Sequence, residues 1–154
     1  MFEPLVKTYS ADNFNRLRLP AEGDVGYDLR CVESFWLLPL QRKLINTGIQ
    51  IEMSEMWVRE FDGQMPYFAI VAPRSSMNVR GVNSAIGIVD PGYRGPIKVV
   101  IHNTTLWPQR FHRGDKIAQL VFLVNMMPEL QLALMADELS PTERGEKGFG
   151  STGR

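Results

Sequence analysis

Apolar positions along this chain come in short strand-like runs separated by turn residues. PYFAIVAPR (Pro66–Arg74) and IKVVIHN (Ile97–Asn103) are rich in β-branched and aromatic side chains and predict strands. KIAQLVFLV (Lys116–Val124) is almost continuously apolar, and its β-branched end and flanking loops favour a buried strand over a helix. In ELQLALM, Leu130, Leu132 and Leu134 alternate with the period of a half-buried strand. WVREFDGQMPYF carries Asp62-Gly63 between apolar runs, which predicts a hairpin, with Pro66 confining the second arm to an edge or to its start. Helix candidates are few. The best is SSMNVRG (Ser75–Gly81), one or two turns opening on serines as N-caps and closing on a C-terminal glycine. With 13 glycines and 10 prolines breaking the chain into short pieces, the pattern predicts an all-β sandwich or barrel.

Composition narrows the functional classes. A chain of 154 residues reads as one domain able to bury about 68–70% of its extended surface. Lys+Arg and Asp+Glu both number 17, so the net charge is zero. That speaks against bulk attraction to duplex nucleic acid or an anionic membrane, while leaving room for a local basic pocket. Cys31 is the single cysteine, so no intrachain disulfide and no cysteine cluster for zinc can form, and it reads as a small buried hydrophobe. MFEPLVKTYS has no signal-peptide character, and no apolar run approaches the ~20 residues of a membrane span. These features predict a soluble, cytoplasmic chain.

Five stretches carry candidate chemistry. The terminal RGEKGFGSTGR (Arg144–Arg154) is glycine-rich and basic, the kind of segment whose free backbone N–H groups converge on phosphate. It is the end of a low-hydrophobicity tail from Ser140 onward, which is expected to move when nothing is bound. VGYDLR (Val25–Arg30) could be a turn before a strand with Asp28 merely solvated. APRSSMNVRG (Ala72–Gly81) puts an arginine before a helix start, which can serve as an anion site or only as a cap. AIGIVDPGYRGPIKV (Ala85–Val99) holds Asp90 where a plain turn aspartate would also fit. RGDKIAQLV (Arg113–Val121) reads as a turn entering a strand rather than as an adhesion tripeptide.

In this order and at these spacings, the five stretches resemble the five motifs of the trimeric dUTP pyrophosphatases, the dUTPases, across residues 25 to 153. The resemblance implies a jelly-roll-like β-barrel of the dUTPase β-clip type over residues 1–139, with a C-terminal arm at 140–154. It also implies a homotrimer with active sites between subunits, cleaving dUTP to dUMP and pyrophosphate with Mg²⁺. Asp90 would then activate the water that attacks the α-phosphorus, and Tyr93 would lie against the deoxyribose. Ser84, Ile86, Gly87, Ile88 and Val89 would form the hairpin that reads uracil, with Lys98 closing the same motif. Arg74, Ser75, Ser76 and Gln119 would hold phosphates, and Asp28 would act on Mg²⁺ through water. Arg144 with Gly150, Ser151 and Thr152 would grip the γ-phosphate, and Phe149 would stack on the base.

Three departures stand out: Ser76 where many dUTPases have glycine, Pro91-Gly92 without the acidic residue often found there, and Lys147 in place of a common glycine. RSS and DPGYRG are closer to the related dCTP deaminases, but the position of those enzymes' catalytic glutamate corresponds here to Val100. Deamination, alone or combined with dUTP hydrolysis, therefore lacks its proton shuttle. A third reading is a nucleotide-responsive regulatory or partner-binding protein on the same fold. Its candidate surface is the hairpin at 55–68, whose Met56, Trp57, Phe61 and Met65 could equally pack on the barrel or the trimer.

Overall fold

Side chains on a strand point alternately to the two faces of a sheet, so each apolar run above has to find one buried face. The computed structural model describes residues 6–11, 15–53, 55–58, 63–125 and 130–143, and of 55–58, 63–66 and 137 the backbone alone. Twelve strands run through them. They are β1 (Val6–Ser10), β2 (Tyr27–Arg30), β3 (Phe35–Leu37), β4 (Arg42–Asn46), β5 (Ile49–Met53) and β6 (Glu55–Val58). There follow β7 (Gly63–Ala72), β8 (Val82–Ser84), β9 (Gly87–Val89), β10 (Lys98–Asn103), β11 (Gln109–Phe111) and β12 (Lys116–Val124). One short α-helix, α1 (Ser75–Val79), links β7 to β8.

All pairings are antiparallel. β12 lies between β2 and β7, and the far edge of β7 takes β6 and then β9. β10 lies between β4 and β8, while β1–β5 and β3–β11 form two-stranded sheets. The all-β expectation holds, although among the described residues the sheets stay open rather than closing into one barrel. Their inner faces share one core. On β10, Val99, Ile101 and Asn103 are buried while Lys98 and Val100 face out. Phe35 and Phe111 stack at 5.0 Å between ring centres, directly opposite in the β3–β11 register. Such a pair adds about 0.5–1.5 kcal/mol to the burial of its rings.

The expected hairpin forms, with Val58 of β6 opposite Gly63 of β7, and Asp62 lies outside the described residues. Pro66 faces Glu55, and β12 joins β7 only from Tyr67 onward. The missing N–H of Pro66 thus falls just beyond the last rung of the β12 ladder.

Two expectations are corrected. Leu130, Leu132 and Leu134 form no strand; they lie in irregular chain and are almost fully exposed. Alternation defines two faces, but a strand also needs a neighbouring edge for its N–H and C=O groups, and none runs beside this segment among the described residues. The serines of SSMNVRG do not cap the helix. Arg74 holds the N-cap position in extended conformation without a side-chain cap, and Ser75 and Ser76 fill the first helical positions. The helix thus starts one residue earlier than a serine N-cap would place it, directly after Pro73-Arg74. Gly81 does end the helix, at φ +74°, where a Cβ would run into Thr105.

Cys31 is fully buried and its thiol donates to the His112 carbonyl at 3.0 Å. Burial is the largest influence on it and pushes the thiol pKa up, so little thiolate exists near neutral pH. A disulfide reagent should therefore modify the native protein far more slowly than the urea-unfolded chain. Equal rates in the two states would contradict the burial of Cys31. No helix among the described residues is long and apolar enough to cross a membrane.

Candidate active site

The sequence-predicted residues assemble into two separate concavities. The first is a cleft of about 560 Å³ lined by Asp28, Arg74, Ser75, Ser76 and Gln119. Strand pairing brings them together. Gln119 on β12 sits opposite Asp28 on β2 and Ala72 on β7, just before Pro73-Arg74 turns into α1. The Gln119 amide donates to the Pro73 carbonyl at 3.1 Å, which ties the β12 side chain to the helix entrance. A Cβ at Gly26 would meet the Gln119 carboxamide, so a larger residue there would have to displace it.

Charge dominates this cleft. The Asp28 carboxylate is paired with Arg74 through one oxygen and with Lys116 through the other, at 2.6 Å for Lys116. Arg16, Arg18 and Arg30 line the same walls, against one further carboxylate among the described residues, Asp24. Partial burial, and then the charges of Arg74 and Arg30, pull the Lys116 ammonium below its usual pKa, with Asp24 opposing. A pocket with five cations and two carboxylates is built for a polyanion. Sequence reading assigned no role to Arg16, Arg18, Arg30 or Lys116. The available signals were RLR ahead of VGYDLR and the lysine inside RGDKIAQLV.

The second cavity, about 370 Å³, is lined by Gly87, Ile88, Val89, Asp90, Tyr93 and Lys98, together with Val71, Pro96 and Ile97. Here β9 pairs with β7 and delivers Asp90 to a turn, closed by the Tyr93 N–H donating to the Asp90 carbonyl at 3.0 Å. The Tyr93 hydroxyl donates to the Pro96 carbonyl at 3.1 Å, laying the ring over Gly95, where a Cβ would collide with it. Arg94 braces the turn from outside by donating to the Pro91 and Tyr93 carbonyls. Tyr93 remains 44% exposed, and Ile88 projects outward at 69%. The cavity has one carboxylate, one ammonium and apolar walls, suited to a neutral ring and a sugar rather than a phosphate chain.

Among the described residues, none lines both cavities. Ser84 and Ile86 line neither: Ser84 is buried with its hydroxyl unpartnered, and Ile86 is exposed on the surface. Arg144, Phe149, Gly150, Ser151 and Thr152 lie outside the described residues. Val100 stands on the outward face of β10 opposite Leu44.

As for metal, no group of three or more His, Cys, Asp or Glu side chains clusters among the described residues. Asp24 and Asp28 nevertheless line the polyanion cleft. That donor set fits Mg²⁺, which keeps several waters and is carried largely by substrate phosphates.

The sequence profile described as dUTPase matches residues 12–153. A deoxyuridine 5'-triphosphate nucleotidohydrolase of Anaeromyxobacter sp. is 40% identical over 140 residues, covering 89% of this chain and 86% of the relative. The monkeypox virus protein of the same name is 33% identical over 142 residues, covering 90% and 85%. Among solved structures, Staphylococcus bacteriophage 80alpha dUTPase with dUpNHpp superposes with a TM-score of 0.79 at 24% identity, covering 97% of this chain and 99% of that one. An Asp-to-Asn variant of the dUTPase from phage phi11 of S. aureus, described with a structural Mg(II) ion, gives a TM-score of 0.72 at 19% identity, covering 85% and 97%.

Proposed function

This chain belongs to the dUTPase family, and on that premise we propose that it hydrolyses dUTP to dUMP and pyrophosphate at sites completed by a second copy of itself. The observation that carries this reading is the division of the candidate residues between two cavities that share no described lining residue. The cleft at Arg74 offers cations for a triphosphate, and its Asp28 is already paired with Arg74 and Lys116, which leaves Asp24 as the other carboxylate among its described lining residues. The cavity at Asp90 offers a carboxylate without an ion pair among the described residues, but only one cation. A symmetric oligomer in which one copy's cleft meets its neighbour's Asp90 cavity supplies both halves at each interface. The family's homotrimer is such an arrangement.

The uracil ring and sugar enter the Asp90 cavity and the phosphates extend into the neighbour's cleft. Asp90 accepts a proton from a water whose oxygen bonds to the α-phosphorus, as the bond from that phosphorus to the β-bridging oxygen breaks. Pyrophosphate leaves and dUMP remains. Arg74, Ser75, Ser76 and Gln119 hold the phosphate oxygens in line for displacement. Asp28 would hold Mg²⁺ through water, and the ion would offset negative charge on the triphosphate. The terminal residues Arg144, Phe149, Gly150, Ser151 and Thr152 close over the nucleotide, Phe149 stacking on the base.

Tyr93 acts as the sugar filter, its ring occupying the space of a ribose 2′-hydroxyl. Tyr93→Ala is expected to raise hydrolysis of UTP relative to dUTP, while both fall in absolute rate. An unchanged dUTP/UTP ratio of kcat/KM would put the filter elsewhere. The reading as a whole is tested by incubating pure protein and Mg²⁺ with dUTP, dCTP, dTTP and UTP and resolving the products. Release of dUMP and pyrophosphate from dUTP alone is the expected result. Deoxyuridine nucleotides formed from dCTP would restore the deaminase reading that Val100 argues against.

A further inference from the structure

The turn that carries Asp90 and Tyr93 has little in its own sequence to stiffen it. Pro91-Gly92 lacks the acidic residue often found there in dUTPases, and open space surrounds Gly92 where a Cβ would stand. A glycine in open space leaves its backbone the widest choice of φ and ψ. Asp90, Gly92, Tyr93 and Arg94 are all exposed. Sugar selection by a ring in direct contact nevertheless needs that ring held to about 0.5 Å, the tolerance of a binding site.

The stiffness comes from a strand forty residues earlier in the chain. Alternation on β5 buries Ile49, Ile51 and Met53 and turns Gln50 to the outer face. From there the Gln50 amide donates to the Arg94 carbonyl at 2.6 Å. The same strand end grips the far side of the turn. The Ile97 N–H donates to the Ile49 carbonyl at 2.7 Å, and the Thr47 N–H and hydroxyl both donate to the Ile97 carbonyl, at 3.2 and 2.8 Å. Thr47 is fully buried, and its hydroxyl oxygen also accepts from the Ile49 N–H. On the near side the Arg94 guanidinium folds back, one nitrogen donating to the Pro91 and Tyr93 carbonyls at 2.6 and 3.0 Å.

We propose that Gln50 and Arg94 are positioning residues for sugar selection, setting where the Tyr93 ring stands in the Asp90 cavity. Neither lines that cavity, so both act through the turn. The Tyr93 hydroxyl is tethered to the Pro96 carbonyl, beside the anchored Ile97. With Ile97 fixed and the Arg94 carbonyl loose, the ring could pivot about its hydroxyl. The Gln50 bond removes that freedom from one side, and the Arg94 side chain removes it from the other by joining Pro91 to Tyr93. The role rests on the reading of Tyr93 as the sugar filter, and its test separates the two.

The test is a double-mutant cycle read as the dUTP/UTP ratio of kcat/KM in the parent, Gln50→Ala, Tyr93→Ala and the double variant. Gln50→Ala should lower the ratio about three- to tenfold, the worth of one neutral hydrogen bond, and should do nothing further once Tyr93 is gone. Arg94→Ala should lower it too. Arg94→Lys, whose ammonium can still donate to a carbonyl, should recover part of that loss. The Arg94 pair keeps the test decisive should Gln50→Ala misfold. Inhibition by inorganic pyrophosphate, which probes the separate phosphate cleft, should stay at the parent level in every variant.

A ratio lowered by Tyr93→Ala but unchanged in Gln50→Ala and Arg94→Ala overturns the positioning role and leaves Tyr93 as the filter. An effect of Gln50→Ala that persists on the Tyr93→Ala background also overturns it, since Gln50 then acts elsewhere. So does a matching loss of pyrophosphate inhibition, which marks a general disturbance of the fold. A ratio unmoved by Tyr93→Ala removes the filter itself, and this role with it.

Discussion

Replacing Asp90 with asparagine is expected to lower dUTP turnover roughly 10²–10⁴-fold while leaving nucleotide binding in place. The amide keeps the size of the carboxylate and can still hydrogen-bond to a water, but it cannot take the proton released when that water attacks phosphorus. The geometry isolates the effect. Asp90 sits in a turn whose backbone is closed by the Tyr93 N–H and braced by Arg94, and neither contact uses the carboxylate. Loss of stability should therefore be small, and a fall in rate can be read as chemistry. The paired measurements are single-turnover dUTP hydrolysis and calorimetric binding of a non-hydrolysable dUTP analogue. A variant within a few-fold of the parent rate would remove Asp90 from the reaction.

Mixing two inactive chains is expected to restore activity. Asp90→Asn damages only the sugar-and-base cavity, and Arg74→Gln only the phosphate cleft, and no described residue lines both. If each active site joins one copy's cleft to a neighbour's Asp90 cavity, every mixed trimer contains one interface where both halves are native. Co-expression with two affinity tags and tandem purification isolates those mixed assemblies, whose specific activity should be about a third of the parent value by the symmetry of a closed ring. Each pure variant should remain near background. A site built within one chain predicts no recovery, since every chain then carries a lesion. Recovery without dUTP specificity, or a mixed species that is not trimeric by light scattering, would also defeat this assembly.

Much of this could be read from the order of residues. Short β-branched runs between glycines and prolines determine an all-β chain, because pleated strands need one buried face and tight reversals between them. KIAQLVFLV became β12 over Lys116–Val124 as expected, and Gly81 ended α1 because its left-handed backbone suits only a residue without Cβ. Asp28, Arg74, Ser75, Ser76 and Gln119 were legible because each lies in a stretch that resembles a dUTPase motif; that they line one cleft was not. Tertiary structure decided what local patterns cannot carry. Whether alternating Leu130, Leu132 and Leu134 pair as a strand depends on an edge elsewhere in the assembly, and no such edge lies beside them among the described residues. Arg16 and Arg18 carry no motif, and Arg30 ends VGYDLR without an assigned role; pairing of β2 with β12 sets Arg30 opposite Lys116, and the irregular chain ahead of β2 brings Arg16 and Arg18 to the same cleft. The sequence by itself named the candidate side chains for binding and cutting a nucleotide, through the resemblance of their stretches to the dUTPase motifs. Only the packing of the sheets decided that one chain presents them in two separate cavities, because β2, β12 and the entrance of α1 converge on one of them while β9 and the turn leading to β10 form the other.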